Sequence, residues 1–367
     1  MVLDSFRKLN IQIIQGMTLP GLLRVLTRNG FRVDMEHFPR LAYLLLLGAF
    51  NSVFGFAETV LDGKEIKAVE VNSPPLFILG HWRSGTTHLH NLMSIDENFA
   101  APSAFQALFP HHFIFSQSGG ALFNLIAPPK RPMDNVAFGA DVPHEDEFGL
   151  AAHSGVSPYF KTWFPVTGDS VYCQLDLRKL PIEKLEKWKD SLRLFLMKFT
   201  LSEGKRAVLK SPPHTARIGT LLEMYPDAQF IHIVRDPYAV YASTHKLFQN
   251  TMAYAHLQTV SNELIDELIL SWYEEMFSLY RRDRDLVPEG ALHELKFEDL
   301  EANPIESLKS MYDNLGLEGF DAFRERVSLY LKSIEGYQKN VHHLNESDRE
   351  KVYKRWRRTF DEYDYPR

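Results

Sequence analysis

One segment of the chain has the composition and spacing of an anion-binding loop: Gly80–Thr87, with the sequence GHWRSGTT. Its glycines fit the G-x-x-x-x-G frame of phosphate-binding loops. Backbone N–H groups where a helix begins after such a loop attract anions, and the hydroxyls of Ser84, Thr86 and Thr87 can add donors. Nucleoside triphosphatases require Lys and then Ser or Thr after the second glycine, but two threonines stand there and the cation is Arg83. We therefore expect an anion site of a different kind.

Other cations follow short apolar runs elsewhere in the chain. Arg235 follows the run QFIHIV, with Ser243 eight positions later, and Lys210 ends the run RAVLK. An arginine offers a planar fork of donors that matches a phosphate group. As isolated residues, all three would be ordinary strand-end or helix-surface side chains. Their common place at the ends of apolar runs indicates that they meet at one edge of a sheet.

The elements that must position these residues are four short strands, each followed by a helix. The strands are predicted at residues 74–80, 206–210, 229–234 and 292–297, and helical periodicity follows each one. Asp236 and Pro237 have the residue types of a helix cap and a first helical position. Strands and helices that alternate in this way predict an α/β fold with a mostly parallel central sheet and helices on both faces.

At the anion loop the sequence resembles the sulfotransferases that use 3'-phosphoadenosine 5'-phosphosulfate (PAPS). Their 5'-phosphosulfate loop, a basic residue followed by Ser/Thr-Gly-Thr-Thr, is matched by Arg83–Thr87. Their 3'-phosphate motif, an arginine after a strand and a serine eight positions on, is matched by Arg235 and Ser243. A third family feature stands at Phe297–Leu300, with Pro304 shortly after it. The order and spacing of the three motifs make the resemblance specific, and it covers residues 75 to 316.

The resemblance implies a fold and a division of the chain. It implies a P-loop-type three-layer α/β sandwich, with a central mostly parallel sheet flanked by helices. We expect residues 1–70 to form a helical extension packed on the core, and residues 71–367 to form a single catalytic domain. The segment LKSPPH at residues 209–214 resembles the corresponding segment in a bacterial branch of the family, which is related to tyrosylprotein and lipid-type sulfotransferases.

The resemblance also implies roles for the cations. Arg83 and its loop, with Ser84, Gly85, Thr86 and Thr87, would hold the 5'-phosphosulfate. Arg235 and Ser243 would read the 3'-phosphate that distinguishes PAPS from ATP, and Lys210 would contact the bridging oxygen. Lys339 lies where family members place a basic loop over the 3'-phosphate. Sulfuryl transfer moves a group of low charge, so fixed cations and backbone dipoles suffice and no metal is expected. The product would be 3'-phosphoadenosine 5'-phosphate (PAP).

An acceptor hydroxyl that attacks sulfur needs a general base. Cytosolic family members use a His two positions after the strand-end lysine, but Pro212 stands there. Dense carboxylates beside aromatic residues can raise the pKa of one of them, which favours Glu145 and Glu147 in the segment PHEDEF, followed by His144 and then His214. A solvated helix start and a structural histidine are the alternatives.

The acceptor is expected to be an apolar alcohol or phenol, such as a lipid or a sterol. Aromatic residues surround the candidate bases in sequence, although they could equally form core. The most apolar stretch, residues 41–56, is interrupted by glycines and polar residues and falls short of the ~20 residues that cross a bilayer. It is interpreted as a buried helix, with a membrane-surface helix and then a spanning helix as the alternatives. The aromatic residues are Phe105, Phe109, Phe113, Phe115, Phe123, Phe138, Tyr159, Phe160, Trp163 and Phe164.

Composition limits the other function classes. The chain has 367 residues, with 41 basic and 47 acidic side chains and a net charge of -6, which argues against a nucleic-acid coat. Cys173 is the only cysteine, so a disulfide framework and a cysteine-rich zinc site are excluded, and a reducing, cytoplasmic location is expected. Two alternatives to a sulfotransferase remain at this point: a P-loop kinase or triphosphatase, and a non-catalytic lipid-binding adaptor that retains a phosphate pocket.

Overall fold

The structure is a computed structural model that describes residues 15–126, 139–167, 171–250, 255–334 and 344–367. The chain divides into two compact units. Unit 1 comprises Met1–Asn72, Pro102–Gly204 and Leu247–Leu264, and unit 2 comprises Ser73–Ala101, Lys205–Lys246 and Ile265–Arg367. The expected division at residue 70 stays a prediction.

Unit 2 contains a five-stranded sheet in the order β2-β3-β1-β4-β5. Every pair of neighbouring strands is parallel, as predicted. The four predicted strands are present, whereas β2 was not predicted because two residues are too few to show a pattern. The strands are β1 (Leu76–Leu79), β2 (Phe99–Ala100), β3 (Arg206–Lys210), β4 (Gln229–Val234) and β5 (Leu292–Lys296).

Helices flank this sheet and also build unit 1. In the first half of the chain they are α1 (Leu19–Arg28), α2 (Phe38–Leu61), α3 (Gly63–Ala68), α4 (Thr86–Met93), α5 (Ala104–Leu108), α6 (Gly120–Ile126), α7 (Glu147–Ser154) and α8 (Phe160–Trp163). In the second half they are α9 (Ile182–Glu203), α10 (Ile218–Met224), α11 (Pro237–Asn250), α12 (Asn262–Asp283), α13 (Phe297–Ala302), α14 (Pro304–Leu315), α15 (Phe320–Ser333) and α16 (Glu346–Glu362). A 3-10 turn, Pro212–Ala216, precedes α10.

Local sequence signals set the helix ends. The Asp236 carboxylate accepts a hydrogen bond from the Tyr238 N–H at the start of α11, and Asn345 caps α16 by accepting from the Asp348 N–H. Gly316 ends α14 with a φ of 62°, a left-handed conformation that glycine adopts without steric cost. The cap at Asp236 confirms the helix boundary that Asp236 and Pro237 predicted.

The core of unit 2 forms around the sheet. All four residues of β1 are buried, because β1 lies between β3 and β4 and helices cover it. Parallel strands end at the same edge of a sheet, so the residues that follow β1, β3, β4 and β5 lie near one another. The predicted cations Arg83, Lys210 and Arg235 lie at or just after the ends of β1, β3 and β4. The core side chains include Ile78, Leu89, Val208, Ile231, Ile233, Leu300, Met311 and Tyr312.

Unit 1 differs from the sequence expectation in helix α2. The apolar run at residues 41–56 lies within a helix of 24 residues, Phe38–Leu61. Residues Met35–Leu61 are long and apolar enough to cross a membrane, by length and composition alone. The expectation that this segment is too short was therefore wrong. The expectation bounded the run at Phe56 and treated Gly48 and Gly55 as interruptions, but glycine is tolerated inside a helix and α2 continues to Leu61.

Candidate functional site

The anion loop between β1 and α4 begins at a glycine that no other residue can replace without strain. Gly80 has a φ of 144°, and a Cβ atom there would lie 2.6 Å from the Ile233 carbonyl oxygen and 2.8 Å from the Ser84 hydroxyl. The Gly80 N–H donates a hydrogen bond to the Thr215 hydroxyl at 2.8 Å. The loop is therefore held against β4 and against the 3-10 turn after β3.

The second glycine of the loop, Gly85, packs directly against an aromatic ring. Its φ is 99°, and a Cβ atom there would lie only 2.2 Å from Cδ2 of Phe297. The Arg235 guanidinium lies over the same Phe297 ring, at 4.4 Å from its centroid. One ring thus supports both the anion loop and the arginine that follows β4, and this contact joins the third sequence motif to the first two.

The two predicted phosphate contacts meet in unit 2. Arg83 Nε donates a hydrogen bond to the Ser243 hydroxyl at 2.9 Å, and Arg235 Nη1 donates to the Arg83 carbonyl oxygen at 3.2 Å. Arg83 has a φ of 69°, a left-handed conformation that is uncommon for a side-chain-bearing residue and often marks functional sites. Partial burial lowers the pKa of Arg235, which still remains charged at neutral pH. Two guanidinium groups are therefore concentrated at one edge of the sheet.

Lys210 and the loop hydroxyls lie beside these arginines. Lys210 is buried at the end of β3, and its Nζ lies 3.4 Å from the Thr87 hydroxyl. The Ser84 hydroxyl donates to the His81 carbonyl oxygen at 2.7 Å, so it stabilises the loop itself. Thr86 begins α4 and is buried. Arg83, Thr87 and Lys210 thus supply side-chain donors from both sides of the loop.

Residues without a predicted role also hold the loop in place. His81 is buried, which lowers its pKa to about 4, and its ring lies 4.9 Å from that of Tyr273. Trp82 stacks on Trp272 with ring centroids 5.1 Å apart. The Glu298 carboxylate accepts from the Asp236 N–H at 3.0 Å and fixes the start of α11. The aromatic residues of the loop and of α12 were the sequence signal for the ring contacts, and Glu298 belongs to the third motif at Phe297–Leu300.

The candidate bases lie in different units. Glu145, Glu147 and His144 belong to unit 1, and His214 belongs to unit 2. The half-buried Glu145 carboxylate accepts a short hydrogen bond from the Tyr159 hydroxyl.

Of the other candidates, Glu147 and His214 are fully buried, whereas His144 is half-buried like Glu145. Glu147 is fully buried and accepts from the Ser157 hydroxyl at 2.7 Å. The His144 ring packs edge-on against Phe148 at 4.6 Å, and the buried His214 ring packs edge-on against Phe77 at 5.4 Å.

Two further sequence expectations concern Lys339, as a 3'-phosphate contact, and the aromatic residues near the candidate bases, as surroundings of an apolar acceptor. Lys339 and Phe138 lie outside the described residues. Six of the remaining nine aromatic residues near the candidate bases are buried core side chains, so they carry no argument for an apolar acceptor. These six are Phe113, Phe123, Tyr159, Phe160, Trp163 and Phe164. In the part of the chain that the structure describes, no three His, Cys, Asp or Glu side chains are grouped to hold a metal ion.

Residues 74–322 match the model of the sulfotransferase family. This chain belongs to that family. The match decides against the kinase, triphosphatase and adaptor alternatives, and it includes all three motifs described above. This sulfotransferase is 32% identical to the omega-hydroxy-beta-dihydromenaquinone-9 sulfotransferases Stf3 of Mycobacterium bovis and Mycobacterium tuberculosis, over 365 residues that cover 100% of the chain and 94% of each relative.

Solved structures confirm the fold. The sulfotransferase STF1 of Mycobacterium tuberculosis superimposes with a TM-score of 0.68 at 19% identity, with 92% of this chain and 91% of that chain covered. STF9 of Mycobacterium avium gives a TM-score of 0.63 at 17% identity, with 96% and 97% covered. The predicted sandwich with a central parallel sheet is therefore confirmed.

Proposed function

We propose that this sulfotransferase takes its sulfuryl group from PAPS and transfers it to a hydroxyl group of an apolar, lipid-like acceptor. The observation that carries the proposal is the contact of Arg83 with Ser243 and of Arg235 with the Arg83 carbonyl. Two cations that converge in this way suit a ligand with two separate anionic groups. PAPS has such groups, a 5'-phosphosulfate and a 3'-phosphate.

In the proposed reaction, the acceptor oxygen attacks the sulfur atom in line with the bond to the leaving phosphate. The new oxygen–sulfur bond forms as the sulfur–oxygen bond to the 5'-phosphate breaks, and the acceptor proton passes to a base. Arg83, the loop N–H groups and Lys210 stabilise the negative charge that grows on the leaving phosphate. Arg235 and Ser243 bind the 3'-phosphate. The products are PAP and a sulfate ester.

The donor proposal is tested by binding of PAP and of adenosine 5'-phosphate, which lacks the 3'-phosphate. We expect Arg235→Ala to weaken PAP binding by about tenfold to a hundredfold, because hydrogen bonds to charged groups contribute about 1.5–3 kcal/mol. Binding of adenosine 5'-phosphate should change little. Arg326→Ala is the matched control, since Arg326 forms a surface ion pair with Glu97 in the same unit. Equal losses for both ligands would contradict the assignment of Arg235.

For the base, we propose Glu145. A general base must reach the acceptor hydroxyl, and Glu145 is half-buried whereas Glu147 and His214 are fully buried. The Tyr159 hydroxyl donates to the Glu145 carboxylate and orients it. Glu147 bonds to Ser157 and is assigned to the packing of unit 1.

Single-turnover rates with labelled PAPS test this assignment. Glu145→Gln should lower the rate of sulfuryl transfer by about 10²–10⁴-fold with PAP affinity unchanged, because general-base catalysis contributes that much. Glu147→Gln is the control carboxamide variant, and it should lower thermal stability more than the rate. His214→Ala and His144→Ala complete the series. A normal rate for Glu145→Gln would rule Glu145 out as the base.

The acceptor class rests on similarity. The relatives Stf3 are named for a hydroxylated menaquinone, which has a polar hydroxyl on a long apolar chain. We propose that the acceptor of this chain is likewise a lipid alcohol. A panel of hydroxylated isoprenoid lipids, sterols, phenols and sugars, incubated with labelled PAPS, would test this. Sulfation of sugars alone would contradict the proposal for the acceptor and leave the PAPS assignment intact.

A further inference from the structure

Helix α2 in unit 1 exposes apolar side chains on one face, and two of the four residues buried on the other face, Asn51 and Glu58, are polar. Seventy-four per cent of the Leu46 side chain is exposed, as is 73% of Phe56 and 66% of Val53. Leu44, Gly48, Asn51 and Glu58 are buried on the inner face. This is the reverse of an ordinary surface helix, which buries its apolar side. The outward residues, here called the outer stripe, are Phe38, Leu46, Phe50, Val53, Phe56 and Val60.

The outer stripe is continuous along the helix. Successive residues of an α-helix are rotated by about 100°, so positions 46, 50, 53 and 60 fall within about 80° of one another, and positions 38 and 56 lie about 40° beyond position 60. Asn51 and Glu58 fall on the opposite side by the same rotation. At about 1.5 Å per residue, the stripe extends for about 33 Å. An apolar surface of this extent on a folded protein indicates a site of interaction.

The inner face fixes α2 to unit 1 through polar contacts. The Glu58 carboxylate pairs with the buried Lys198 ammonium at 2.5 Å and accepts from the Ile114 N–H at 2.9 Å. The Asn51 amide donates to the Gln15 carbonyl oxygen at 2.8 Å, and a His112 ring nitrogen lies 3.1 Å from the Asn51 amide oxygen. Crossing a bilayer would break these contacts and move Glu58 into hydrocarbon, which is costly. These contacts therefore argue against a membrane-spanning helix.

The chemistry of the outer stripe favours hydrocarbon over a protein partner. Protein interfaces have about one hydrogen bond per 100–200 Å², so they need donors and acceptors. All six side chains of the stripe are hydrocarbon, and the nearby Thr59 hydroxyl donates to the Gly55 carbonyl oxygen within the same helix. A surface without directional groups fits the interior edge of a lipid leaflet, which is apolar and imposes no geometry.

Lysines extend the outer stripe at its C-terminal end. Asp62 joins α2 to α3 in a right-handed helical conformation, so the helical rotation continues into α3. Lys64 and Lys67 are exposed there and fall on the side of the stripe, whereas Glu65 falls about 100° away from Lys64. Lysines at the boundary of an apolar face can contact the phosphates of anionic lipids.

We propose that unit 1 binds the surface of an anionic lipid bilayer through the outer stripe, with α2 lying in the plane of the membrane. The side chains of the stripe enter the leaflet, and Lys64 and Lys67 meet the headgroups. The inference does not depend on the identity of the sulfuryl donor. It would bring the enzyme to the phase in which a lipid acceptor is dissolved.

Vesicle co-sedimentation of the full chain tests the proposal. The probes are vesicles of phosphatidylcholine alone and of phosphatidylcholine with phosphatidylglycerol. Leu46→Asp and Phe56→Asp should each weaken binding to both vesicles by about tenfold or more, because each removes an apolar side chain from the leaflet and adds a charge. Leu329→Asp is the matched control, because Leu329 is 68% exposed in unit 2, and it should bind as the wild type does.

The lysines and the orientation have separate tests. The double change Lys64→Glu and Lys67→Glu should weaken binding to phosphatidylglycerol vesicles only, and the effect should shrink with added salt. Alkaline carbonate should release the bound protein, whereas a spanning helix would resist extraction.

Three results would overturn the proposal: absence of vesicle binding by the wild type, wild-type binding by Leu46→Asp and Phe56→Asp, or dimers in light scattering that these two changes dissociate. The last result would make the stripe a self-association face. Unchanged far-UV circular dichroism and thermal unfolding of each variant verify that it is folded.

Discussion

The contact between Gly85 and Phe297 makes a strong prediction for the variant Gly85→Ala. The new Cβ atom would lie 2.2 Å from Cδ2 and 2.8 Å from Cε2 of the Phe297 ring, whereas ordinary contacts lie at 3.4–4 Å. The ring would have to move by more than an ångström. Because the Arg235 guanidinium rests on the same ring, this movement would also displace the proposed 3'-phosphate contact.

Two contributions set the magnitude. The left-handed φ of 99° at Gly85 disfavours a side chain, at a cost of about 1–2 kcal/mol. Overpacking against a buried ring costs about 1–3 kcal/mol more. The free energy of unfolding should therefore fall by about 2–5 kcal/mol. PAP affinity should fall by about tenfold or more, because binding PAP requires the loop, the Phe297 ring and the Arg235 guanidinium to return towards their wild-type positions, where the overlap with the new Cβ atom recurs.

Gly316→Ala is the matched control. Gly316 lies in the same unit with a φ of 62°, but nothing lies within 4 Å of a Cβ atom built there. In urea unfolding, Gly316→Ala should lower the free energy of unfolding only by the backbone contribution of about 1–2 kcal/mol. Its PAP affinity, measured by calorimetric titration, should be unchanged.

A double-mutant cycle with Phe297→Ala then isolates the overlap. Phe297→Ala alone removes a buried ring, but Gly85→Ala should cost about 1–3 kcal/mol less in that background than in the wild type. If Gly85→Ala behaved like Gly316→Ala in both stability and PAP affinity, the proposed coupling of loop, ring and arginine would be refuted.

Three further predictions concern single side chains. Burial lowers the pKa of Lys198 from 10.5 to about 8, so between pH 8 and 10.5 the unfolded chain holds a proton that the native chain has released. The wild type should therefore become more stable across this pH range, by about 3 kcal/mol relative to Lys198→Met in urea unfolding. Ser243→Ala should weaken PAP binding about tenfold, because it removes the hydroxyl that accepts a hydrogen bond from Arg83. The control Ser94→Ala, which loses only a hydrogen bond to the Asn91 carbonyl oxygen, should bind PAP normally. Burial lowers the pKa of His81 from 6.5 to about 4, so the stability of the folded chain should fall as the pH drops from 6.5 to 4. In thermal unfolding, the stability of His81→Asn should depend less on pH in this range.

The central sheet was predictable because its strands have strong local signals. The runs in β1 and β4 are apolar and end at a glycine or an arginine, and buried parallel strands require such runs. The motif spacing placed Arg83, Arg235 and Ser243 in one site, and the structure brings these three residues together.

The remaining features depend on contacts between distant segments. Nothing in the sequence near Gly85 shows that Phe297 would occupy the space beside it. The orientation of α2 was also hidden, because its outward and inward faces are distinguished by Asn51 and Glu58, and the partners of these residues come from other parts of unit 1. A hydrophobic run indicates a helix, but only the packing tells which side meets water or lipid.

The order in which the sheet is assembled has a consequence for the synthesis of the protein. β1 and its anion loop leave the ribosome early, but β1 pairs with β3 and β4, which follow far later in the chain. The hydrogen bonds from Arg235 to Arg83 and from Arg83 to Ser243 span 152 and 160 residues. Contacts between such distant residues form slowly. The anion loop also cannot make them until most of the polypeptide has been synthesised. A nascent chain therefore cannot assemble the proposed donor site until Ser243, about two thirds of the way along the 367 residues, has been synthesised.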